Sequence, residues 1–225
     1  MENGHQFAPV GAIRRGRYGL KITLISILII PALLASQYVL VKAKKPDNPM
    51  LALKPGQKTL AKIHSILKAN WPDMKEARVW KISNAIHKES TRYRLDPILI
   101  LALIDVESKF QHTAVSPAGA RGLMQILPGT GKALVEEIGL VGDSNSNGFR
   151  PEVLDDPIVN IKLGIYYLQN LKNLFQSLNK ALIAYNLGPT ELKNRLDNNI
   201  VYPGAYAASV LDAYQKYKES QRPTF

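Results

Sequence analysis

At 225 residues, with hydrophobic residues at 46% and charged residues at 21%, the chain can fold one packed domain with appendages but not two full domains. It contains no cysteine, which excludes a disulfide scaffold, a thiolate zinc or iron–sulfur site, a cysteine nucleophile and a lipid-modified N-terminal cysteine. The formal charge of +11 suits an anionic partner.

The first element is an uncharged stretch of 20 residues from Ile22 to Val41, the length a helix needs to cross about 30 Å of hydrocarbon. Arg14, Arg15, Arg17 and Lys21 precede it and Lys42, Lys44 and Lys45 follow, so charge asymmetry favours a cytoplasmic N-terminus only weakly. Pro31 at mid-span is tolerated in membrane helices, and Tyr38 near one end suits the interface. A cleaved signal peptide competes with this reading, since Val41-Lys42-Ala43 offers a small residue at a cleavage point. The apolar run exceeds the usual secretory core, which favours an uncleaved anchor over residues 1–42. A buried helix of a soluble domain is the least favoured reading, because neither flank offers segments to cover it.

Residues 43–57 carry Pro46, Pro49 and Pro55 among polar neighbours and read as a stiff tether that resists helix formation. The first 42 residues hold five basic and one acidic residue, leaving 24 basic against 17 acidic in the remainder. That surplus fits acidic cell-wall glycan or anionic lipid as well as ordinary solubilising charge. Nucleic acid is not expected, because Lys and Arg nowhere interleave with aromatics at groove-reading spacing.

From Thr59 onward apolar residues recur at helical spacing and no run alternates with period two, so residues 58–219 are expected to form a mainly α domain. Asp96-Pro97 opens the clearest helix, with Asp as N-cap and Pro at the first helical position. The sequence ILILALIDVES that follows leaves no polar face on its first two turns, which predicts a helix buried all round with Glu107 at its end. Residues 116–130, with three glycines and two prolines, predict a shaped loop. A Pro-led helix from Asp156-Pro157, another stopping at Leu187-Gly188-Pro189, and a last from Tyr206 to about Tyr217 complete the domain, with residues 220–225 as a tail.

A carboxylate at the end of a buried apolar helix is poorly solvated and lies near backbone carbonyl ends; both effects raise its pKa, as a general acid requires. Taken alone, Glu107 beside Ser108 is commonplace. The surrounding blocks change its standing: ALIDVESKF at 102–110, SPAGARGLMQILPGT at 116–130, DPIVNIKLGIYYL at 156–168 and ALIAYNLGP at 181–189. In this order they resemble the catalytic domain of the soluble lytic transglycosylases, whose fold is lysozyme-like of the goose type.

The resemblance implies that Glu107 is the catalytic acid/base and that Ser108 completes its Glu-Ser pair. It implies sugar-binding roles for Ser116, for Gly122 and Gln125 of GLMQ, for Tyr167, Tyr185 and Asn186, and for Tyr206 in the last helix. Met124 and Tyr166 are expected to pack in the core, and Gln125 has the alternative of satisfying loop backbone groups. Five of the ten tyrosines lie between positions 166 and 206, an enrichment that suits sugar stacking or a helical core. The implied reaction is cleavage of the β-1,4 bond between N-acetylmuramic acid and N-acetylglucosamine with formation of a 1,6-anhydro end, without metal or cofactor. A lysozyme-type hydrolase and a non-catalytic peptidoglycan-binding module are the rivals. A hydrolase needs a second carboxylate: Asp105 lies two residues along the same helix, nearly opposite Glu107, whereas Asp143, Asp155 and Glu191 stay open. The expected partners are peptidoglycan strands and, through residues 22–41, the cytoplasmic membrane, with the domain facing the periplasm or wall.

Two positions depart from the pattern. Tyr202 stands where the family often has a carboxylate, four residues before Tyr206, and Leu127 replaces a frequent methionine at similar volume. Asp143, Asn145, Asn147 and Gly148 fit the first half of a calcium loop, but Leu154 occupies the twelfth position, so an Asn/Gly-rich surface loop is expected. His5, His64, His87 and His112 form neither an HExxH motif nor an i, i+4 pair, and no metal site is expected.

Overall fold

Proline sets the helix starts. In the computed structural model, which describes residues 54–140 and 149–220, five of the eight α-helices carry Pro in their first turn, where its missing N–H breaks no helical bond. The elements are α1 (Pro55–Asn70), α2 (Glu76–Arg92), α3 (Pro97–Ser108), α4 (Pro128–Glu137), a 3₁₀ turn (Pro151–Asp155), α5 (Pro157–Phe175), α6 (Leu178–Leu187), α7 (Pro189–Asp197) and α8 (Ala205–Glu219). There is no regular strand among the described residues. Only isolated antiparallel bridges pair Val115 with Arg121 and Arg121 with Ile126.

Asp96 and Asp156 cap α3 and α5 as their sequences predict. Asp96 accepts from the Ile98 N–H at 2.8 Å, and Asp156 accepts from Ile158 and Val159 at 2.9 Å each. Two boundaries shift. Helix α1 begins at Pro55, inside the stretch expected to be tether, because Pro55 sits in the first turn and Gln57 Oε1 takes up the Lys54 N–H at 3.0 Å. Helix α4 begins at Pro128, so the loop expected to run to residue 130 is already helical over its last three residues.

Helix α3 is the axis of the core. Every residue from Ile98 to Ile104 is buried, and each large side chain there contributes about 1.5–3 kcal/mol relative to exposure. Helix α8 packs most extensively against α3, while α1 and α2 cover other sides and α6 bridges α5 and α8. The axis ends abruptly: Lys109 (φ 50°) and Phe110 (φ 61°) are consecutive left-handed residues. That turn sends Phe110 into the core, where its carbonyl accepts from Trp71 Nε1 at 2.8 Å. Among the described residues no helix is long and apolar enough to cross a membrane. The expected anchor at 22–41, the segment Asp143–Gly148 and the last five residues lie outside the described residues.

Candidate active site

The glycine-rich loop is shaped by one buried amide. Asn160 on α5 is fully buried; its Oδ1 accepts from the Met124 N–H at 2.7 Å and its Nδ2 donates to the carbonyls of Arg121 (2.8 Å) and Leu154 (2.9 Å). Gly122 passes this amide at φ 78°, and a Cβ there would lie 2.3 Å from Asn160 Nδ2 and 2.4 Å from the Leu154 oxygen. Only glycine fits both the space and the backbone angle. Arg121 forms a two-point ion pair with Asp155, at 3.0 and 2.5 Å, which ties the loop to the 3₁₀ turn. Gly164 lets α5 approach from below, since a Cβ at that position would meet Met124 Sδ at 2.4 Å.

This loop and α3 meet at Glu107. Ser108 is 7% exposed, and its hydroxyl lies 3.1 Å from the Ile104 carbonyl and 2.9 Å from that of Leu123. Tyr185 on α6 donates its hydroxyl to the Met124 carbonyl at 2.9 Å, and Tyr206 at the start of α8 donates to Glu107 Oε1. The carboxyl is therefore enclosed between the end of α3, the loop and α8. Burial pushes its pKa from the ordinary 4.5 up to about 7, and the hydrogen bond from Tyr206 opposes part of that rise by favouring the charged form. The Tyr185 and Tyr206 phenols are pushed upward, first by burial and then by the Glu107 charge, so both remain protonated donors. Two further tyrosines of α8 serve carboxylates of α3 and its cap: Tyr214 donates to Asp96 at 2.6 Å and Tyr217 to Asp105 at 3.2 Å.

Beside this centre lies a cavity of about 210 Å³ lined by Gln125, Leu127, Thr130, Tyr167, Tyr185 and Asn186, among others. The Tyr167 and Tyr185 rings stand 5.2 Å apart at 51°, and Leu127 is 46% exposed at the rim. Of the residues expected from the sequence, Gln125, Tyr167, Tyr185 and Asn186 thus share one cavity, and Glu107, Tyr185 and Tyr206 form one electrostatic unit. The other three expected residues lie within the loop's own packing and hydrogen bonds. Ser108 and Gly122 are buried in loop packing, and Ser116 Oγ accepts from the Ala120 N–H at 3.0 Å to close a turn. Gln125 satisfies loop backbone groups, its amide donating to the Ala114 and Gly122 carbonyls at 3.1 and 2.9 Å, and it also lines the cavity.

Of the carboxylates left open by the sequence, Asp155 and Glu191 are placed and Asp143 lies outside the described residues; Asp105 is placed as well. Asp105 binds Lys109 and Tyr217, Asp155 is held by Arg121, and Glu191 by Arg195 at 2.6 Å. The residue that sequence reasoning missed is Asn160. Its signal was a polar side chain on the apolar face of a helix, where an unsatisfied amide would be costly and therefore had to be bonded.

A family model described as the transglycosylase SLT domain matches residues 84–203, more than half of the chain. The chain belongs to the transglycosylase SLT domain family. All four sequence blocks, Glu107 and Asn160 fall within the matched SLT segment, whereas α1 and the start of α2 precede it and Tyr206 with the rest of α8 follows it. Among curated relatives of this SLT domain, a membrane-bound lytic murein transglycosylase C of Mannheimia succiniciproducens is 34% identical over 134 residues, covering 56% of this chain and 36% of that one. The soluble lytic murein transglycosylase of Escherichia coli is 33% identical over 142 residues, covering 55% and 21%. The chain thus spans about a third or less of the length of these relatives. Among solved structures, the 70 kDa soluble lytic transglycosylase of Escherichia coli aligns with a TM-score of 0.54 at 25% identity, over 75% of this chain and 31% of that one. Its complex with bulgecin A aligns at 0.53 and 24% identity and bears on the fold alone.

Proposed function

We propose that this chain is a peptidoglycan lytic transglycosylase in which Glu107 alone supplies acid and base. The observation that carries the reading is the enclosure of Glu107, whose pKa near 7 keeps a substantial protonated fraction at neutral pH. Glu107 first gives its proton to the oxygen bridging N-acetylmuramic acid and N-acetylglucosamine, and the C1–O bond breaks. The substrate's 2-acetamido group stabilises the cationic C1, as in other substrate-assisted glycosidases. The carboxylate, steadied by the Tyr206 hydroxyl, then takes the proton of the muramoyl 6-hydroxyl as that oxygen bonds to C1. The product is a 1,6-anhydro end, the acid is restored and no water is consumed. Among the described residues, the engagement of Asp105, Asp155 and Glu191 by cationic or phenolic partners supports a single-carboxylate mechanism over a two-carboxylate hydrolase.

In the same reading, residues 22–41 anchor the chain in the cytoplasmic membrane, residues 43–54 space the domain from it, and the SLT domain faces the wall. The membrane-bound relatives support that placement. Mass spectrometry of sugars released from purified peptidoglycan tests the reaction. Products one water lighter than hydrolytic ones are expected, and ordinary reducing ends would overturn it. Tyr202, half-buried where the family often has a carboxylate, favours a binding module as the second reading; absence of any product would select it.

A further inference from the structure

The Asn160 amide makes three hydrogen bonds at a place where packing needs none. Its helix neighbours Ile161, Leu163 and Ile165 are fully buried, and a leucine of the same branched shape would occupy the position with no polar group to satisfy. The amide is itself fully buried, so each of its bonds holds its partner in place.

The loop it holds is a closed unit. Arg121 and Ile126 exchange both backbone hydrogen bonds at 3.0 Å, and the Gly122 N–H bonds the Ala114 carbonyl at 2.9 Å. Within that unit the peptide joining Leu123 to Met124 is gripped from both sides. Its N–H donates to Asn160 Oδ1 at 2.7 Å, and its carbonyl oxygen accepts from Ser108 Oγ at 2.9 Å. The N–H and C=O of a trans peptide point in opposite directions, so this unit is a strut between α5 and the last residue of α3. That residue, Ser108, is the chain neighbour of Glu107. The next carbonyl, that of Met124, accepts from Tyr185, whose ring lines the cavity.

We propose that Asn160 is a positioning residue for Glu107, acting through the Leu123–Met124 peptide on Ser108 at the end of α3, in a reading that takes Glu107 as the acid of the proposed reaction. The bonds of Asn160 go to the loop and the 3₁₀ turn and none goes to Glu107. Without the strut the loop draws back from the end of α3, water reaches the carboxyl and its aim at the bridging oxygen is lost. Misplacing a catalytic group by about 1 Å costs about a hundredfold in rate.

The test sets Asn160→Leu, which keeps the branched shape and removes all three bonds, against Asp155→Asn, which cuts the ion pair from Arg121 to the 3₁₀ turn but spares the strut. In the full chain, labelled with carbon-13 at its glutamate carboxyls, the Glu107 resonance is the one that Glu107→Gln removes. Its titration midpoint, near 7 in the native chain, should fall by about one pH unit or more in Asn160→Leu as water gains access, and stay in place in Asp155→Asn. The rate of glycan-strand cleavage at saturating substrate should fall by about tenfold or more in Asn160→Leu. A residue that only stabilises the fold would lower the melting temperature in both variants and leave the midpoint alone. An unchanged midpoint, or an unchanged rate, in a folded Asn160→Leu overturns the assignment. Should the leucine variant not fold, Asn160→Ala, which leaves room for water to bond the freed groups, is read in the same way. Loss of the fold in both makes Asn160 a residue of the fold alone and overturns the assignment too. A midpoint that falls as expected in a chain whose native form cleaves no glycan removes the transglycosylase reading and keeps the control of Glu107 by Asn160.

Discussion

Replacing Glu107 with glutamine should stabilise the folded domain above neutral pH and leave its stability unchanged in acid. The carboxyl has its ordinary pKa of 4.5 in the unfolded chain and about 7 in the fold, so folding takes up a proton between those values. For an acid whose folded pKa is raised, stability is highest below the unfolded pKa and falls as pH rises to the folded one. At about 1.4 kcal/mol for each pH unit, the loss is on the order of 3 kcal/mol once Glu107 is ionised. Glutamine keeps the volume and an acceptor oxygen for Tyr206 but never ionises. Thermal unfolding followed by near-ultraviolet circular dichroism should therefore coincide for the two proteins at about pH 4 and separate at about pH 8.5. The variant should then melt about 6–12 °C higher, given about 2–4 °C per kcal/mol for a domain of this size. Equal melting at both pH values, or a variant that melts lower in alkali, would refute the claim that burial raises the Glu107 pKa.

Tyr206→Phe removes the donor that favours the charged form of Glu107, so the acid's pKa should rise above its present value near 7. The alkaline limb of the kcat/KM profile should move to higher pH by about one unit or more, as expected for a hydrogen bond to a charged group; a limb that stays put or moves down would contradict the assignment. Gly122→Ala should destabilise the domain by about 3 kcal/mol in denaturant unfolding, because the new methyl meets Asn160 and the Leu154 carbonyl at a positive φ. A loss within about 0.5 kcal/mol, as at an ordinary surface site, would show the loop to be looser than its contacts imply.

The axis of the fold was legible because α3 states its own burial: an apolar run with no polar face on its first two turns, an Asp-Pro start and carboxylates only in its last turn. Helix starts at 97 and 157 could be read for the same reason, since capping chemistry is local. The start at Pro55 was misread because a proline that ends helices from within also begins them, and the sequence does not say which side of it is helical. The Glu107 carboxyl and the aromatic cavity wall were reached through the ordered blocks. The loop hydrogen bonds of Ser108 and Ser116 and the tight packing at Gly122 were not, because a residue in a shared motif is equally required whether it touches sugar or holds the loop. Asn160, which settles the loop's shape, bonds to carbonyls 6 and 39 residues away, and no local pattern encodes partners at that range.

The most direct test of the account is to run the reaction in water enriched in heavy oxygen and weigh the sugar ends, with Glu107→Gln alongside. The account predicts anhydromuramoyl ends free of the label from the native chain and no product from the variant. One labelled oxygen at each new end would show that water attacks C1, and undiminished cleavage by the variant would show that the proton is supplied elsewhere; either would contradict it.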